Sequence, residues 1–402
     1  MANCQNGRLC SLEDMTGYFG LVYGEVISKQ ALDDRFTPEA VLFLKEVLSR
    51  LISYHFHDQL NGINQNAFNC LRLRDSTRFG LPAAYKNKYK GYGGATKSES
   101  QISIQFEFDL FSNDYIDLQL TSGCRNDQQD TQESTGNASE GNILIRDLGY
   151  ITSTYLKSVI AHGAFFINRL PSQMKTYETV SGNEIDFEKA YKKMKKYNLP
   201  YLEYTVIAGK KARIPCRVIM YLNDKATYKS RMKRTSKNTG SIGCRVSERQ
   251  KTRSKLDIYI TNVDKEVISA YRVKQVYSLR WQIENVFKAW KSLCNIDKVK
   301  KVKIERFECM LLAGMIWILA NWQIFQVINH WLIETHKKSA SIWKFIKQSV
   351  QNKWIVQNIL MRGKGLFQYI LKLILIAKRK LSRETKKGKE PFIQSIMNIR
   401  NA

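Results

Sequence analysis

Beyond residue 66 the apolar residues stop recurring every three or four positions and begin to alternate, and that change of period most restricts the fold. In "CLRLRDST" (70–77) Leu71 and Leu73 alternate with Arg72 and Arg74. In "ISIQFEFDL" (102–110) Ile102, Ile104, Phe106, Phe108 and Leu110 fall on one side, and "YIDLQL" (115–120) repeats the pattern from Ile116 to Leu120. A period of two commits a segment to a strand, and three such runs in succession predict an antiparallel meander. Next come "NILIRDLGY", a strand ending at Asp147, a helical "ITSTYLKSVIAHG" and a second apolar strand, "AFFIN". Strands followed by a strand–helix–strand unit imply a mixed α/β layer.

Helical spacing flanks this region. "FTPEAVLFLKEVLSRLISYHF" opens with Thr37 as N-cap, Pro38 at the first helical position and Glu39 in the first turn. From 171 to 263 the strand-like runs "YLEYTVIA", "IPCRVIMYL" and "LDIYITN" surround a basic stretch rich in Ser, Thr and Gly, predicting a mainly β insertion with a basic loop. Helical pattern then resumes to the C-terminus. The apolar run "CMLLAGMIWILA" (309–320) is twelve residues long, short for a membrane span and suited to a buried helix. The expected division is a helical segment 1–66, a core in two parts (67–170 and 264–335) interrupted by the insertion 171–263, and a basic helical segment 336–402.

A formal charge of +28 points to a polyanionic partner, nucleic acid before membrane. The charge is concentrated: residues 223–255 hold eleven Lys or Arg against Asp224 and Glu248, and residues 341–402 hold fourteen against Glu384 and Glu390. The stretch 107–140 is acidic, with eight Asp or Glu against Arg125. The eight cysteines include no CxxC pair and no His at zinc-finger spacing, which suits free thiols in a reducing cytoplasm.

One acidic residue stands out within "YSLRWQIENVFKAWK" (277–291). Read as one helix advancing about 100° per residue, it places Arg280, Glu284, Lys288 and Lys291 within about 80° of one another, with Tyr277 on the same stripe. Ile283, Val286, Phe287, Trp290 and Leu293 take the opposite flank. Two i,i+4 ion pairs on a solvent face would account for this arrangement at about 0.2–0.5 kcal/mol each.

Tyr277, Arg280, Glu284 and Lys291 at these spacings resemble the tyrosine–arginine–glutamate–lysine signature of the insertion-sequence-four family of bacterial DDE transposases. Asp75 in "RDST" and Asp147 in "RDLGY" resemble the two upstream carboxylates of that family, and the likeness runs from residue 28 to residue 330. It implies a ribonuclease-H-like α/β catalytic core with a mainly β insertion, flanked by helical N- and C-terminal segments. It implies a transposase that cuts an insertion sequence from DNA and joins its 3′ ends to target DNA. Asp75, Asp147 and Glu284 would be the catalytic residues and hold two Mg²⁺ or Mn²⁺ ions. Tyr277, Arg280 and Lys291 would contact DNA phosphates; Lys288 joins them by helix geometry alone. A homodimer on DNA, in the bacterial cytoplasm at the nucleoid and away from membranes, is the implied setting. Family members cut through a DNA hairpin with an extruded base, for which Trp281 is a stacking candidate whose ordinary role would be packing. Only 74 residues precede Asp75, where family members carry a longer helical domain, so an N-terminally shortened frame is expected. The rival is a DNA-binding relative or regulator without catalysis.

Overall fold

Thr37 caps the helix it was expected to cap, accepting the N–H of Ala40 at 3.2 Å. The structure is a computed structural model that describes residues 11–58, 68–93, 98–134, 136, 138–240, 245–352, 355, 364–385 and 390–400. In chain order the helices and strands begin with α1 (Leu12–Tyr23), α2 (Lys29–Asp33), α3 (Pro38–Asp58), β1 (Cys70–Gly80), β2 (Gln101–Asp109) and β3 (Tyr115–Ser122). They continue with α4 (Asp127–Ser134), β4 (Asn142–Arg146), α5 (Ser153–Ala161), β5 (Phe165–Arg169), β6 (Thr176–Glu178), α6 (Phe187–Lys196), β7 (Leu202–Ala208) and β8 (Ile214–Leu222). The rest are α7 (Lys225–Gly240), α8 (Glu248–Ser254), β9 (Leu256–Thr261), α9 (Ala270–Ser278), α10 (Trp281–Ser292), α11 (Ile304–His336), α12 (Ile342–Gln351), α13 (Leu366–Ile376) and α14 (Phe392–Arg400).

Two units share the chain: Met1–Gln65 with Asp75–Arg125 and Trp281–Asn398, and Asn66–Arg74 with Asn126–Arg280 and Ile399–Ala402. In the first, β2 and β3 pair antiparallel from Ile102 opposite Ser122 to Phe108 opposite Tyr115. The alternation buries Ile104, Phe106 and Phe108, and the Phe106 ring lies 4.9 Å from Trp290 of α10 and 5.6 Å from Trp322 of α11. Such aromatic contacts make α10 part of this unit's core. Helix α11 runs 33 residues, well past the apolar run that announced it. By length and composition it could cross a membrane, but 67% of its most apolar window is buried inside the protein.

In the second unit β1 pairs parallel with β4, from Cys70 opposite Asn142 to Arg74 opposite Arg146, and β4 pairs parallel with β5. The β4–α5–β5 crossover expected from the sequence is therefore present. Strand β9 then pairs antiparallel with β5, and β8, β7 and β6 follow. The strands read as an insertion thus extend a sheet begun by β4 and β5. The basic stretch 223–255, expected as a loop, is instead helical over most of its length in α7 and α8. Asp224 accepts the N–H of Thr227 at 2.6 Å, and Ser247 with Gln250 forms a capping box. These caps satisfy helix starts that the Ser, Thr and Gly content disguised.

Candidate active site

Asp75 sits within β1, half-buried, with one carboxylate oxygen accepting the N–H of Ser76 at 2.8 Å. Asp147 follows the last residue of β4, half-exposed, ahead of a short turn at Leu148–Tyr150. Its side chain makes no capping hydrogen bond to that turn, so turn formation does not account for the carboxylate.

Each aspartate is preceded by a fully buried arginine, which the sequence reading missed. Arg72 and Arg74 were read as the polar side of an alternating strand; both are buried. The Arg74 guanidinium donates through Nε and Nη2 to the two Asp130 oxygens at 2.8 and 3.0 Å, and neither side chain is exposed. Arg146 donates to Ser134 Oγ at 3.0 Å and lies 4.9 Å over the Tyr155 ring. Asp130 and Ser134 stand one turn apart on α4, so a single helix anchors the residues before both aspartates. The signal was present in the acidic stretch 107–140, which needed a buried cation to explain it.

The helix expected over 277–291 is broken. Arg280 and Leu279 bond back to Tyr277 and Val276 in a tight turn, after which α10 begins at Trp281. Periodicity alone passes through this point unmarked; burial of Tyr277 and Leu279 decides it. Tyr277 is therefore buried among core side chains and does not lie on an open cationic stripe. Burial pushes its phenol up to about 12, against the pull of the Arg280 charge, whose guanidinium lies 6.0 Å from the ring. Arg280 is largely buried, with Nε 3.9 Å from an Asp147 oxygen. Tyr277, Arg280 and Asp147 are thus brought together in the second unit.

In the first unit α10 buries Ile283, Val286, Phe287 and Trp290 as expected, leaving Glu284 half-buried and Lys288 exposed. The Lys288 ammonium stands 5.4 Å over the Trp343 ring. Lys291 donates to the Arg78 carbonyl at 2.9 Å, and its burial lowers its pKa. Trp281, at the start of α10, is 60% exposed. Among the described residues no three His, Cys, Asp or Glu group closely enough to hold a metal ion.

A second ionic cluster in the second unit was also missed. Asp257 on β9 accepts from Arg169 at 2.6 Å, from Lys274 at 2.8 Å and from Arg231. Burial alone would raise its pKa, but hydrogen bonds from Lys274 and Arg231 hold it at about 2, below the ordinary 3.8. A carboxylate with a lowered folded-state value stabilises the fold above its unfolded value and loses that contribution as pH falls through the folded one. Wild-type protein should therefore lose about 2 kcal/mol between pH 4 and pH 2 that Asp257→Asn does not lose, as read by urea unfolding across that range. Identical acid limbs in the two proteins would show that the cations do not hold the carboxylate ionised.

Residues 66–319 match a family model described as the transposase DDE domain. The chain is 31% identical over 381 residues to the transposase for insertion sequence element IS231F of Bacillus thuringiensis subsp. israelensis, covering 88% of this chain and 78% of that one. It is 27% identical over 408 residues to the transposase for insertion sequence element IS1151 of Clostridium perfringens, covering 96% and 85%. Among solved structures, a piggyBac transposase synaptic complex with hairpin DNA aligns over 97% of this chain and 75% of that one, at 11% identity and a TM-score of 0.45.

Proposed function

The chain belongs to the transposase DDE domain family and is an insertion-sequence transposase, and from that premise we propose that Asp75, Asp147 and Glu284 are its catalytic carboxylates. The observation that carries the two aspartates is the parallel register. Arg74 lies opposite Arg146, and in the sequence an aspartate follows each. The carboxyl ends of parallel strands are where α/β sheets gather ligands, which suits Asp147. Glu284 in the first turn of α10 supplies the third carboxylate, with Tyr277, Arg280 and Lys291 at the spacings of the insertion-sequence-four signature.

An all-oxygen donor set suits hard divalent cations, here two Mg²⁺ or Mn²⁺ ions. Held by these residues, they would supply Lewis-acid stabilisation of the attacking and leaving oxygens at the scissile phosphate. The chain's own residues do the positioning. Arg280, beside Asp147, offers a planar fork of donors to a phosphate, whereas Lys288 and Lys291 act as point charges along α10. The basic helices α7 and α8 hold the DNA backbone without reading sequence. Trp281, exposed at the start of α10, offers a ring on which an extruded base can stack. The core is ribonuclease-H-like, spans 67–170 and 264–335, and is interrupted by 171–263. Two protomers act together on DNA in the cytoplasm, at the nucleoid.

Incubated with duplex DNA carrying the sequences that flank its reading frame, the purified chain should nick that DNA with Mg²⁺ or Mn²⁺ and stop in EDTA. Binding without cleavage under every metal tested would favour a DNA-binding relative that has lost catalysis.

A further inference from the structure

We propose that Arg169, Arg231 and Lys274 form a seat for one DNA backbone phosphate, organised from beneath by Asp257, which does not itself touch the ligand. The inference rests on the transposase reading and adds to it a contact point outside the signature residues. The cluster draws on four elements: Arg169 ends β5, Asp257 lies on β9, Arg231 on α7 and Lys274 on α9. Its layering is graded. The Asp257 side chain is 7% exposed, whereas those of Arg231, Arg169 and Lys274 are 24, 33 and 44% exposed. The carboxylate is a floor, and the cations stand between it and solvent.

Three cations against one carboxylate leave two uncompensated positive charges in one small region. Tying α7 and α9 to the sheet would require one cation per helix at most, and a neutral donor would serve as well. Holding three like charges together opposes their mutual repulsion, which is strongest where water is partly excluded. An anion arriving from solvent relieves that repulsion and meets donors already fixed in place, so little freedom is lost on binding. A phosphodiester group fits: it is singly charged, accepts several hydrogen bonds, and bonds to charged donors about twice as strongly as to neutral ones.

The seat is also continuous with the candidate active site inside the same unit. Arg169 pairs across β5 and β9 with Tyr259, whose ring lies 5.1 Å from Tyr277. Tyr277 contacts Arg280, and Arg280 reaches Asp147. These core contacts tie the seat and Asp147 into one packed region of the unit.

The test measures binding of the full chain to a fluorescein-labelled duplex of arbitrary sequence over a salt series in EDTA, so that cleavage plays no part. Lys274→Gln should lower the slope of log K against log salt by about 0.9, one phosphate's worth. The exposed control Lys192→Gln, paired with Glu188 on α6, should leave the slope unchanged. Asp257→Asn makes the chain more positive and should still weaken binding, because the cations lose the carboxylate that fixes them; simple charge addition gives the opposite sign. Melting curves accompany each variant, and if Asp257→Asn does not fold, Lys274→Gln decides. A wild-type slope in folded Lys274→Gln, or an equal drop in Lys192→Gln, overturns the seat and leaves the transposase reading standing. Failure of wild-type protein to bind duplex at any salt would instead remove that reading and the seat with it.

Discussion

Glu284→Gln should abolish DNA cleavage while leaving duplex binding close to wild type. Glutamine keeps the size and the hydrogen-bonding oxygen of the side chain and removes only the charge, on a helix whose packing face is Ile283, Val286, Phe287 and Trp290. Folding and the cations proposed to face DNA should therefore survive. On the proposed assignment the lost quantity would be one of three negative charges that hold the metal ions, an interaction worth several kcal/mol. That corresponds to a fall on the order of 10³-fold or more in the nicking rate. The measurement is single-turnover nicking at saturating Mn²⁺ beside a binding isotherm in EDTA. Cleavage within tenfold of wild type would return Glu284 to the role of a surface ion-pair partner, whose loss costs about 0.2–0.5 kcal/mol.

The strands beside the two aspartates were legible: Leu71 and Leu73 mark β1 by alternation and the apolar run 143–145 marks β4, whereas the part proposed for Asp75 and Asp147 came from the family resemblance. The helix at 277–291 was legible only in its second half. Residues 281–292 have one buried flank, but Tyr277 and Leu279 are drawn inward before it, and a periodic pattern records no reason for the chain to tighten there. Helices α7 and α8 were hidden for a related reason. Lys and Arg are good helix formers, but Ser236, Thr239, Gly240 and Gly243 spoke for a loop, and the deciding caps at Asp224 and Ser247 are single side chains. The buried arginines were the least accessible. Arg74 finds Asp130 56 positions later, and no local pattern says that an alternating arginine faces inward. The same holds for Asp257, whose cations come from residues 169, 231 and 274.

Removing one partner from the Arg74–Asp130 pair should cost more stability than any other single change considered above. With both side chains unexposed and bonded at 2.8 and 3.0 Å, Asp130→Ala takes from a buried guanidinium the carboxylate that receives two of its hydrogen bonds. Breaking a buried pair in this way costs about 3–5 kcal/mol, which urea unfolding would read as a large drop in midpoint. Replacing both residues by apolar ones of similar volume, Arg74→Met with Asp130→Leu, should restore most of that loss, since the desolvation cost disappears along with the pair. The double variant then separates two roles. Arg74 is bonded covalently to Asp75, so a pair that only held the fold together would give back cleavage along with stability. Restored stability with cleavage still depressed, and duplex binding intact, would assign to the Arg74–Asp130 pair the task of holding Asp75 where the chemistry needs it.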